Sequence, residues 1–115
     1  MNKKLFLTTF LLGSLISAPA KALNYTGNLF EADLNSGNIN EFTPSGIKST
    51  FASGLSGPYG LAFDSSGNLF EADPYSGNIN EFTPSGIKST FASGLSGPFG
   101  LAFDSSGNLF EADLY

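Results

Sequence analysis

The chain has no cysteine, no histidine and no arginine, and these gaps exclude much before any pattern is read. Without cysteine, a chain of 115 residues has no disulfide staple and must hold its fold by packing alone. Without histidine it lacks the usual general base near neutral pH and the commonest metal ligand. With neither residue present, zinc and the other transition metals lose their preferred donors, and the scattered carboxylates show no ligand spacing. A Ser-His-Asp triad is ruled out, and no serine sits in a Gly-x-Ser-x-Gly turn that leads into a helix. The nearest approach, Gly54-Leu55-Ser56-Gly57, falls in a loop and reads as structural. No catalytic, cofactor-binding or metal-binding residue is therefore assigned, and this chain is not expected to be an enzyme by itself.

Long apolar runs are also missing, apart from Leu5 to Ile16, which is interrupted by Thr8, Thr9, Gly13 and Ser14. Lys3 and Lys4 precede that run, and Ala20-Lys21-Ala22 places small residues at two cleavage-site positions. Residues 1–22 thus read as a helical secretory signal peptide cut after Ala22, with Ala18-Pro19-Ala20 as a second place to cut. A membrane anchor would need about 20 apolar residues and this run offers about 12. The mature chain then starts near Leu23 and is secreted to the periplasm or beyond. It keeps only Lys48 and Lys88 against ten carboxylates, a formal balance of −8. Such a surface excludes nucleic acid and anionic lipid, both of which are bound through clustered cations, so no membrane contact is expected after cleavage.

What the chain does contain is repetition. Ser36 to Asp73 recurs as Ser76 to Asp113 with one change, Tyr59 to Phe99, and Gly27 to Asp33 is a further copy of Gly67 to Asp73. Each unit of about 40 residues reads as four short strands. In the middle unit these are Gly60–Phe63, Asn68–Asp73, Asn78–Phe82 and Ile87–Ala92, separated by Asp64-Ser65-Ser66-Gly67, Pro74-Tyr75-Ser76-Gly77 and Thr83-Pro84-Ser85-Gly86. Asp bonds the backbone two residues on, Pro presets its dihedral, and Gly takes the left-handed conformation that closes a turn. No window shows apolar residues at helical spacing.

Four-residue loops throughout predict a definite register. Phe63 then faces Asn68, Ala62 faces Leu69 and Leu61 faces Phe70. Ala72 faces Ile79, Glu71 faces Asn80 and Leu69 faces Phe82. Phe82 faces Ile87, and Lys88 meets Glu81 as Lys48 meets Glu41. Leu61, Phe63, Phe70, Ala72 and Ile79 then share one face, and Ala62, Leu69, Phe82 and Ile87 the other. A sheet apolar on both faces needs a neighbour on each side. Four-stranded units of this length, stacked radially, make a β-propeller, with the small first strand nearest the axis. The fold class is therefore all-β: an incomplete propeller of four-stranded antiparallel blades.

The unit as a whole carries a family resemblance. Gly57-Pro58-Tyr59-Gly60-Leu61-Ala62-Phe63-Asp64, followed by Gly67-Asn68-Leu69-Phe70-Glu71-Ala72-Asp73 and Gly77-Asn78-Ile79-Asn80-Glu81-Phe82, resembles the repeat of NHL-type propellers. It is similar also to the blades of the SMP-30/gluconolactonase-like and streptogramin-lyase-like superfamily. The resemblance implies a propeller, typically six-bladed, of which residues 23–57 make an incomplete blade without its opening strand, 58–97 a full blade and 98–115 a partial one. It implies no single activity, because such propellers serve as binding platforms, lactonases and lyases. The lyases imply a histidine base that is absent here, and the metal-binding Glu, Asn and Asp of the lactonases match no residue of this chain. Glu31, Glu71 and Glu111 depart from the aliphatic residue more usual at that place.

Three candidates remain, each with a plainer reading. The three glutamates could ring a cation, or Glu71 could pair with Asn80 or point outward. Asp64-Ser65-Ser66-Gly67-Asn68, with Glu71 and Asp73, faintly resembles a calcium loop but lacks its spacing, and the hairpin-turn reading is preferred. Tyr25, Tyr59, Tyr75 and Tyr115 lie in or near loops, where they could stack on a ligand or cover the edge of a core. The expected function is an exported binding or scaffold surface for a protein or carbohydrate. The alternative is part of a lactonase- or hydrolase-like propeller whose catalytic residues lie in other blades. Truncation, an incomplete array or a ring completed by oligomers are all compatible with two and a third units. Open blade edges are expected to self-associate.

Overall fold

The computed structural model describes the backbone of Lys21–Leu23 and residues 27–115, and in these it contains ten strands and no helix. They are β1 (Lys21–Leu23), β2 (Leu29–Asp33), β3 (Asn38–Phe42), β4 (Lys48–Ala52), β5 (Leu61–Phe63), β6 (Leu69–Asp73), β7 (Asn78–Phe82), β8 (Lys88–Ala92), β9 (Pro98–Phe103) and β10 (Leu109–Asp113). Three antiparallel up-and-down sheets result, in the orders β1-β2-β3-β4, β5-β6-β7-β8 and β9-β10. The first unit does not lack its opening strand: β1 fills that place, with Lys21 opposite Glu31 and Leu23 opposite Leu29. It straddles the expected leader boundary after Ala22. Residues 1–20 of the expected leader, and Tyr25, lie outside the described residues.

Turn chemistry decides the register, and it corrects two of the three expected hairpins. Leu61 faces Glu71, Ala62 faces Phe70 and Phe63 faces Leu69, one residue away from the four-residue-loop expectation. The cause is that Asn68 belongs to the turn. The Asp64 N–H donates to the Asn68 carbonyl at 3.0 Å and the Gly67 N–H to the Asp64 carbonyl at 3.2 Å. Gly67 sits at φ +86°, closing a three-residue loop with a left-handed glycine at its end. The Asp64 carboxylate locks this turn by accepting from the N–H groups of Ser66 (2.9 Å) and Asn68 (2.8 Å) and from Asn68 Nδ2 (2.9 Å).

The third hairpin uses the same device, with Thr83 and Ile87 as its last rung and Gly86 at φ +89°. Phe82 therefore faces Lys88 and Glu81 faces Ser89, as Phe42 faces Lys48 and Glu41 faces Ser49. The expected pairs Glu81–Lys88 and Glu41–Lys48 do not form, because each lysine lies on the opposite face from its glutamate. The middle hairpin follows expectation, with Leu69 on Phe82, Glu71 on Asn80 and Ala72 on Ile79.

These registers re-sort the faces without changing their character. Leu61, Phe63, Leu69 and Phe82 share one face of the middle sheet; Ala62, Phe70, Ala72 and Ile79 share the other. Ile87, expected in the core, is exposed on its turn. The first face packs on Phe30, Ala32 and Ile39 of the preceding sheet, and the second on Leu101, Phe103 and Leu109 of the next. An aromatic motif repeats at each junction. Phe30 meets Phe51 and Phe63 edge-on, both at 5.1 Å, and Phe70 meets Phe91 at 5.1 Å and Phe103 at 5.0 Å. Such contacts add about 0.5–1.5 kcal/mol each beyond the area they bury.

The first strands of successive sheets lie side by side, β1 by β5 and β5 by β9, which is the inner position in a radial stack. Their approach is close enough that a Cβ on Gly60 would stand 2.1 Å from the Phe99 carbonyl oxygen. Backbone cannot yield there as the tip of a side chain can. Gly60→Ala should therefore lower the unfolding free energy by about 2 kcal/mol or more, as overpacking does. Urea denaturation of the two chains side by side measures it, and equal midpoints would show that the inner strands are not this close.

Candidate functional site

Glu71 is fully buried in the middle of β6, where a carboxylate has no water to solvate it. The register sets it opposite Asn80 of β7, also buried, and Asn80 Nδ2 donates to Glu71 Oε2 at 2.7 Å. The Glu–Asn pairing reading therefore holds for Glu71. Its second oxygen, Oε1, and Asn80 Oδ1 have no hydrogen-bond partner. Glu31 repeats the placement opposite Asn40, and Glu111 opposite Leu101, each with one buried oxygen unpartnered. Among the described residues no three acidic side chains converge as a metal-binding group. The glutamates lie one per sheet and do not meet.

Burial pushes the Glu71 carboxyl up to about 7 from an ordinary 4.5, and the charge of Asp73 adds to this, while the Asn80 bond and Lys88 oppose it. Glu111 is also raised, first by desolvation and then by Asp113 beside it. At the exposed turns the direction reverses: hydrogen bonds from Asn108 hold Asp104 below the usual carboxylate range, and those from Ser36 do the same for Asp33.

Asp73, met in the sequence only as part of the calcium-loop likeness, does a different job. It is buried at the end of β6, and its Oδ1 accepts from the N–H groups of Tyr75 and Ser76 while Oδ2 accepts from the Ser56 N–H at 2.9 Å. One carboxylate thus shapes the turn of its own sheet and ties down the linker arriving from the sheet before. The same linker is held by the Leu55 N–H, which donates to the Gly37 carbonyl at 3.0 Å. Gly54-Leu55-Ser56-Gly57 is thus held at two of its backbone N–H groups. The signal was available, since an Asp preceding Pro-Tyr-Ser-Gly is the start of an Asx turn.

Aromatics gather at this same end of the sheets. The Tyr59 and Phe99 rings stack at 3.7 Å between centroids and 28° between planes, Tyr59 two residues before β5 and Phe99 at the start of β9. Both are half-buried. Tyr75 lies over Gly57, two residues before Tyr59, yet remains 71 % exposed, and Tyr115 lies over Gly97 in the same way. The only position at which the long repeats differ is therefore one where a residue stacks on its own copy. At the opposite end a shallow cleft opens between Phe63, Asp64, Phe103 and Asp104, and both of its carboxylates are already spent on their turns. The calcium-loop likeness at Asp64 resolves in favour of the hairpin turn.

The buried glutamate has a measurable consequence. Between pH 4.5 and about 7 the folded chain holds a proton on Glu71 that the unfolded chain releases, so stability falls as pH rises through that window. The full loss above the window is on the order of 3 kcal/mol. Urea midpoints should drop between pH 5 and pH 8, and Glu71→Gln, which keeps the acceptor for Asn80, should flatten the profile and stabilise the chain at pH 8. An unchanged slope in the variant would place the titrating group elsewhere.

No protein-family model matches the sequence, and no curated protein is similar to it. Solved structures do match its fold. Virginiamycin B lyase from Staphylococcus aureus superposes with a TM-score of 0.71 at 12 % identity, over 88 % of this chain and 39 % of that one. A catalytically inactive histidine-to-alanine variant of that lyase, with quinupristin, gives 0.72 at 14 % identity over the same shares. A streptogramin B lyase gives 0.66 at 15 % identity, over 84 % of this chain and 40 % of the other. The chain thus spans about two fifths of the length of the proteins it superposes on. In its described residues the chain shares the fold of these proteins: blades of a β-propeller, two of them four-stranded and a third present as two strands.

Proposed function

We propose that this chain is an exported, acidic propeller module of NHL-like repeats that acts as a binding or scaffold surface for a protein or carbohydrate. The six-bladed ring of the resembling families is the assembly in which that surface would be presented. The observation that carries the proposal is the aromatic end: Tyr59 stacked on Phe99, with Tyr75 exposed nearby, beside linkers fixed by Asp73. Flat rings held in place at small entropic cost are what a sugar face or an apolar peptide side chain stacks on. Glu71 is bonded to Asn80 through one oxygen, and Asp64 and Asp104 are held in their turns.

A lyase or lactonase role has only the likeness of fold behind it. One of the superposed lyases is described as catalytically inactive in a histidine-to-alanine variant, and this chain brings no histidine to such a reaction. Immobilised full-length chain, exposed to a panel of cello-, xylo- and chito-oligosaccharides and to extracellular protein from a culture, tests the binding role. Tyr59→Ala combined with Phe99→Ala should reduce capture about tenfold or more. Equal capture by both chains, or none by either, would contradict the role given to these rings.

A further inference from the structure

Each four-stranded sheet holds a buried carboxyl oxygen and a buried amide oxygen without a hydrogen-bond partner: Glu71 Oε1 with Asn80 Oδ1, and Glu31 Oε2 with Asn40 Oδ1. The two members of each set share a rung, Glu71 opposite Asn80 and Glu31 opposite Asn40. In the middle sheet half of the encounter is already made, since Asn80 Nδ2 donates to Glu71 Oε2 at 2.7 Å. What is left over is two acceptors with no donor between them. Buried acceptors are rarely left so, because the water they gave up is not replaced.

A water molecule, a metal cation or a proton can serve two such oxygens. Water needs room and about three polar partners, and no space of its size touches Glu71 Oε1 or Asn80 Oδ1. A hard cation needs more oxygens than this rung offers, and among the described residues no three acidic side chains converge. A proton needs no space. We infer that Glu71 and Asn80 form a proton latch: in the neutral acid the Glu71 Oε1–H group donates to Asn80 Oδ1, closing a two-bond acid–amide pair across β6 and β7. The proton comes from solvent, one for the rung, and returns to solvent when the latch opens; the O–H bond and its hydrogen bond are all that form or break.

The charges around the latch set its response. Asp73, two residues along β6 on the same face, favours the proton, and Lys88 of β8 on that face opposes it. Glu41 of β3 lies on the face of the preceding sheet that packs here, and Asn28 Nδ2 donates to it. Glu81 of β7, and Glu31 and Asp33 of β2, point to the other faces of their sheets, while β5 and β9 carry no titratable side chain. Ionisation therefore leaves two carboxylates side by side on one face of β6. The second of them is the clip that accepts from the N–H groups of Ser56, Tyr75 and Ser76. Repulsion from Glu71 weakens that clip, and the linker it holds runs on to Tyr59. The latch is closed in mildly acidic surroundings and opens in alkaline ones, loosening the middle sheet and its linker together. It stands without the binding role, because it is read on a carboxyl and an amide and on no ligand.

Infrared difference spectra of the full-length chain test the latch, with Glu71→Gln as reference. In that variant a side-chain N–H replaces the carboxyl O–H, so the pair is closed at every pH. Wild type minus variant at pH 5 should show one neutral carboxyl C=O stretch at the frequency of a hydrogen-bonded acid, gone by pH 9. The Ser56 amide, followed by hydrogen exchange, should lose about tenfold in protection factor between pH 5 and pH 8 in wild type and stay level in the variant. No neutral carboxyl in the pH 5 difference spectrum, or one at the frequency of a free acid, overturns the latch. Equal loss of Ser56 protection in both chains overturns its hold on the linker.

Discussion

Every other feature of this structure depends on the two-sided burial of a thin sheet. A four-stranded blade has Leu61, Leu69 and Phe82 on one side and Phe70, Ala72 and Ile79 on the other, and neither set can be hidden by the blade itself. At about 25 cal/mol per Å² of apolar area, leaving one such face wet costs several kcal/mol, comparable to the whole stability of a small domain. Stability is therefore a property of the stack. The same sequence is buried throughout β6 and largely exposed in β10, because β6 has blades on both sides and β10 does not.

Stacking also explains where the polar groups go. Successive inner strands approach until Gly60 meets a carbonyl, and β6 beside them is buried along its whole length, out of reach of bulk solvent. Glu71 is caught in that dry layer, half satisfied by Asn80 and inclined to hold its proton near neutrality. Asp73, at the margin of the same layer, is satisfied by three backbone N–H groups and becomes the clip that fixes one blade to the linker of the one before. Two carboxylates two residues apart thus take opposite roles, set by whether backbone donors are within reach.

The architecture was legible in the sequence because the repeat says it twice and the apolar residues cannot be placed on one face. Register was less legible. Whether Asn68 and Ile87 belong to a loop or a strand depends on three-residue turns closed by Gly67 and Gly86, and spacing alone does not separate these from four-residue loops. The apparent match of Lys88 to Glu81 favoured the wrong choice, since a surface ion pair is too weak to set a register that glycine dihedrals and core faces decide. Glu71 could be read as an anomaly and assigned a plausible partner from sequence. The stack of Tyr59 on Phe99 could not, because it joins residues 40 positions apart whose contact exists only once blades are assembled.

The pentapeptide Leu-Phe-Glu-Ala-Asp occurs in three settings in one molecule, so its backbone amides test the dependence on neighbours with sequence held constant. Amide hydrogen exchange by NMR, at concentrations where the chain is a single copy, is the direct measurement. The account predicts the slowest exchange for residues 69–73, enclosed on both faces and both edges, and the fastest for 109–113, open on one edge and one face. Equal protection in the three copies would contradict it, because stability would then reside in each sheet and not in the stack.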